Sequence, residues 1–72
     1  MKSRFQQIIG CEKFQDSQDC PDFPEIDRLF LVNYLTDSLN DYEQWELWGE
    51  IRENGKTILS MTKDECGFIS ID

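Results

Sequence analysis

The sequence predicts a small α+β domain, with one or two N-terminal helices packed on a C-terminal antiparallel β-hairpin or three-stranded meander. Three observations carry that expectation. Apolar residues recur at helical spacing in the first half, at Phe5, Ile8 and Ile9 and again between Ile26 and Leu39. Asn54-Gly55 is a strong hairpin sign, because a type I′ turn needs positive φ at both central residues. The length of 72 residues allows one domain, 1–72, with a thin core.

Residues 3–9 read as a short helix. Ser3 is placed to cap it, Gln6 completes a capping box, and Gly10 stops it. A helix this short needs the rest of the domain to hold its stripe. Residues 11–23 read as a polar loop ending in Cys20-Pro21-Asp22-Phe23, with no sustained period. Residues 24–39 read as the second helix. Pro24 suits its first turn, Glu25 and Asp27 suit the positive end of its dipole, and Ile26, Leu29, Phe30, Val32, Leu35 and Leu39 share a broad face. A buried strand over residues 28–35 is the competing reading.

The hairpin reading of the C-terminal half pairs Glu53 with Lys56, Ile51 with Ile58, Gly49 with Ser60 and Trp48 with Met61. Trp45, Leu47 and Ile51 then share one face, and Trp48 points to the other. A turn at Lys63-Asp64-Glu65 leads to a third strand over residues 67–71. The rival is a helix over residues 41–53, capped by Asn40 and ended by Gly55, which Gly49 in its middle disfavours.

The chain carries 7 basic and 15 acidic residues, no His, and a net charge of -8. The acids fall in two blocks, residues 12–28 and 37–53, on either side of an uncharged centre at 29–36. Such a surface repels phosphate backbones and anionic lipid, so neither nucleic acid nor membrane is an expected partner. A basic protein surface would be attracted and steered to it. Lys2 and Arg4 precede scattered apolar residues that make no secretory signal, and the longest apolar run, residues 29–32, is far short of a membrane span. The expected location is cytoplasmic. Three cysteines, Cys11, Cys20 and Cys66, are an odd count for a disulfide framework and agree with a reducing compartment, although Cys11 and Cys20 would close a loop if oxidised.

Catalytic chemistry finds little support. Without His there is no Ser–His–Asp or Cys–His set, and no glycine-rich phosphate loop occurs. Cys66 lies between Glu65 and Gly67, where a neighbouring carboxylate disfavours a thiolate. The Cys11 and Cys20 spacing does not match a zinc knuckle, and residues 16–22 lack the alternation of a calcium loop. No enzyme, metal or cofactor is expected.

The segment Glu43-Gln44-Trp45-Glu46-Leu47-Trp48-Gly49-Glu50 has the makings of a binding surface. Glu46 and Glu50 flank Trp48 on one strand face, with Leu59 and Met61 across from them. A Trp beside apolar neighbours and rimmed by carboxylates fits a hot spot for a basic partner. Asp16, Asp19 and Asp22 form a second acidic contact. The competing reading buries Trp48 as core beneath the helix over residues 24–39. The expected function is a protein-binding inhibitor that blocks a basic, nucleic-acid-binding surface, such as that of a nuclease. By class analogy, this general profile is similar to that of nuclease immunity proteins and phage-encoded anti-defence inhibitors. The alternative is a small structural or regulatory subunit that binds through an apolar face, its acidity incidental. Oligomeric state is not legible.

Overall fold

The computed structural model describes residues 4–20 and 27–72. The elements among them run β1 (Phe5–Gly10), β2 (Gln15–Asp19), α1 (Arg28–Asn40), β3 (Leu47–Glu53), β4 (Lys56–Lys63) and β5 (Ile69–Ile71). The strands make one antiparallel sheet in the order β2-β1-β3-β4-β5, and α1 packs across one face of it. This overturns the expected hairpin or meander beneath N-terminal helices. The N-terminal half supplies two strands, and the sheet has five.

The expected helix over residues 3–9 is β1, an interior strand of the sheet between β2 and β3. Phe5, Gln7 and Ile9 point toward α1, and Ile8 is buried on the opposite face. A strand buried on both faces loses the clean alternation that marks it. Here a buried polar Gln7 blurred the pattern further. Ladder bonds on both edges hold β1, whereas a two-turn helix would have had to nucleate without support.

The expected loop over residues 11–23 contains β2. Every residue of β2 is exposed, so no apolar period announces it. It is an edge strand held by pairing with β1, from Gln6 opposite Asp19 to Gly10 opposite Gln15. Acidic side chains on such an edge discourage further strand addition.

The second helix is present, with different bounds. Asp27 caps α1, its Oδ1 accepting the Leu29 amide at 3.0 Å. Leu31, Leu35 and Leu39 are buried at successive i, i+4 positions, but Leu29 and Phe30 are exposed. Pro24, Glu25 and Ile26 lie outside the described residues.

Asn54 and Gly55 form the expected two-residue turn, with φ of 52° and 85°, and Glu53 pairs with Lys56. The expected register holds through Arg52 opposite Thr57 and fails beyond it. A bulge between Ile51 and Arg52 sets Ile51 opposite Leu59, Gly49 opposite Met61 and Trp48 opposite Thr62. One extra residue inverts every later side chain, so Leu59 and Met61 enter the core under α1 rather than lining the Trp48 face. Gly49 leaves room for the leucines of α1 to pack on the sheet. A Cβ there would stand 3.0 Å from Leu35 Cδ1 and 3.2 Å from Leu39 Cδ2.

Candidate binding cleft

In β3, Leu47, Gly49 and Ile51 face α1, so Trp48, Glu50 and Arg52 face the other way. Trp48 is therefore outside the core that the helix closes, and it is half-buried by its strand neighbours. Its register partner on β1 is Gly10. The indole lies over that glycine: a Cβ on Gly10 would stand 2.8 Å from Trp48 Cζ2 and 2.9 Å from the Phe14 carbonyl oxygen.

Trp45 precedes β3 and is 62% exposed, so it does not share a buried face with Leu47. Its six-membered ring rests on Gly67, where a Cβ would be 3.3 Å from Cζ3. Gly67 has φ of 86° in the turn between β4 and β5, where Asp64 Oδ1 accepts the Cys66 and Phe68 amides, each at 2.9 Å. Each tryptophan is thus seated on a glycine.

Three connections converge at this end of the sheet: the β1–β2 turn, the segment before β3, and the β4–β5 turn. Between them opens a cleft of about 700 Å³, walled by Trp45, Leu47, Trp48 and Thr62. Glu12, Glu46, Asp64 and Glu65 also line it, against Lys13 and Lys63, and Cys11 sits within the lining. Among the described residues, neither indole stacks on another ring and no ion pair engages Glu12, Glu46 or Glu65.

The expected site residues separate. Glu46 joins Trp48 in the cleft. Glu50 shares the open face with Trp48, but its Oε1 is 2.6 Å from Arg52 Nη2 and its Oε2 accepts the Thr57 hydroxyl at 3.1 Å. That carboxylate is neutralised within the fold. Asp16 and Asp19 lie on opposite faces of β2, opposite Ile9 and Gln6 respectively. Asp16 Oδ2 accepts the Tyr42 hydroxyl at 3.1 Å, and Tyr42 stacks on Phe14. The two carboxylates therefore form no common acidic loop, and Asp22 lies outside the described residues.

The sequence reading missed Trp45, Glu12, Asp64 and Glu65 as cleft residues. They come from three separate connections, and only the pairing of β1 with β3 brings Glu12 to the tryptophans.

The cysteines are free, with Cys11 half-buried, Cys20 buried and Cys66 exposed. Cys11 and Cys20 flank opposite ends of the β1–β2 ladder. Each lies one residue beyond an end of its five register pairs, which puts the two about 20 Å apart at the usual rise per strand residue, well beyond disulfide reach. Burial raises the Cys20 thiol pKa, a hydrogen bond with Tyr34 lowers it in part, and Asp19 raises it. The described residues hold no group of three or more His, Cys, Asp or Glu placed to bind a metal ion. No helix among them is long and apolar enough to cross a membrane. No family model matches the chain, and no curated protein or solved structure shows significant similarity to it.

Proposed function

We propose that this chain is a small acidic binding module that docks on a basic surface of a larger protein and blocks its access to nucleic acid. The observation that carries this reading is the cleft itself. It gathers both tryptophans of the chain at one end of the sheet, among four acidic residues and two lysines, on a molecule of net charge -8. Indole surface supplies desolvation energy at a contact, and carboxylates supply sign. Their negative charge would occupy positions on the partner that phosphates otherwise take. Seating each indole on a glycine limits the side-chain ordering that binding would otherwise cost.

The salt dependence of association tests the reading. A partner isolated on the full chain should carry a basic surface. Raising ionic strength from roughly 0.01 to 0.1 M shortens the screening length about threefold and should slow its association about tenfold. Reversing Glu46 and Glu65 to Lys should slow it further at low salt. Association that ignores both salt and charge reversal overturns this function. That result would favour the apolar reading, for which Leu29, 65% exposed on α1, is the supporting observation.

A further inference from the structure

We propose, resting on the reading above, that the cleft between Trp45 and Trp48 is a receptor for one arginine side chain of the basic partner. Its guanidinium would lie against indole surface and hydrogen-bond to the rim carboxylates.

The chemistry of the lining selects that group. Indole faces attract cations through their quadrupole, and Trp does so best among the aromatic side chains. Carboxylates of Glu12, Glu46 and Glu65 stand on the same cleft without an ion-pair partner among the described residues. A guanidinium satisfies both features at once. It is planar enough to stack and forked enough to bond a carboxylate in bidentate fashion, and it sheds water more readily than an ammonium. Lysine offers charge without the plane. A nucleobase would stack equally well, but its phosphates would meet Glu12, Glu46, Asp64 and Glu65. Lys13 and Lys63 leave the lining net acidic by two charges, so the cleft keeps the sign a cation requires.

The volume suits more than a bare side chain. An open cleft of about 700 Å³ accepts the arginine together with the backbone that bears it.

The chain provides its own reporter. Trp45 and Trp48 are its two tryptophans and both line the cleft, so intrinsic tryptophan emission reads this place alone. The experiment titrates the full chain at low salt with acetylated, amidated hexa-arginine and, separately, hexa-lysine of equal charge. Hexa-arginine should change the emission saturably and bind at least fivefold more tightly than hexa-lysine. Trp45→Ala, at a largely exposed position, should stay folded by circular dichroism. Followed through Trp48 emission, it should bind hexa-arginine about tenfold more weakly, close to hexa-lysine. Glu46→Gln should weaken hexa-arginine severalfold with both indoles in place. Equal affinity for the two peptides, unchanged in Trp45→Ala, overturns the arginine receptor while leaving charge-led docking intact. Failure of either peptide to bind at low salt overturns both.

Discussion

Trp48 and Gly10 show how one small residue can fix the place of a large one. The two are register partners on β3 and β1, and the indole occupies the space a side chain at position 10 would need. In the sequence Gly10 reads as a helix stop, yet its use is to leave room for a ring. A Gly10→Ala substitution forces a methyl group to within 2.8 Å of Trp48 Cζ2 and 2.9 Å of the Phe14 carbonyl oxygen. The ring can swing away, but the carbonyl belongs to the backbone of a tight turn closed by Cys11 donating to Phe14. Overpacking of this kind costs about 1–3 kcal/mol. Thermal melts should show Gly10→Ala lowered by several degrees, with Trp48 emission shifted toward that of exposed indole. An unchanged melting temperature together with unchanged emission would mean the ring does not rest there.

At the scale of elements, apolar positions that face one side only were legible, and those buried on two sides or none were not. Leu35 and Leu39 of the expected α1 face are buried, whereas Leu31, left out of that face, is buried beside them and Leu29 and Phe30 are exposed; Asn54-Gly55 gave the β3–β4 turn its backbone. β1 is buried on both faces and β2 on neither, so neither alternates. The bulge at Ile51 and Arg52 left no mark in composition, although it decides which face Leu59 and Met61 join. The candidate site was half legible for the same reason. Trp48 and Glu46 are close in sequence, whereas Glu12 reaches them only through the pairing of β1 with β3.

Cys20, Tyr34 and Tyr42 give the fold a pH signature. Burial raises the pKa of Cys20 above its ordinary 9.0 and those of Tyr34 and Tyr42 above 10.0; a hydrogen bond to Asp16 also raises Tyr42. A group raised in the fold binds its proton more tightly there than in the unfolded chain. Its contribution is complete below the ordinary value and disappears as pH rises through the folded one. Melting temperature should therefore fall as pH rises above about 9, as the linkage of these three groups requires. Tyr42→Phe should remove part of that fall. A melting temperature that climbs between about pH 9 and 11 would contradict the sign of all three shifts.

The whole molecule sets charge against size. Its radius of gyration is 11.8 Å, close to the screening length of about 10 Å at 0.1 M salt. At low ionic strength the net charge of -8 is thus felt across the entire fold. Among the described residues two carboxylates are offset locally, Glu53 by Arg4 and Glu50 by Arg52, and the excess acid acts as self-repulsion in the compact state. Added salt should therefore raise the melting temperature of the free chain, most steeply below about 0.1 M, where screening begins to act within its dimensions. The same salt should slow capture of a basic partner, because steering depends on the field that screening removes. The two slopes have opposite sign and a common cause. A melting temperature that is flat or falls with salt would show that the acids are already compensated within the fold, and charge-led docking would then lack its driving field.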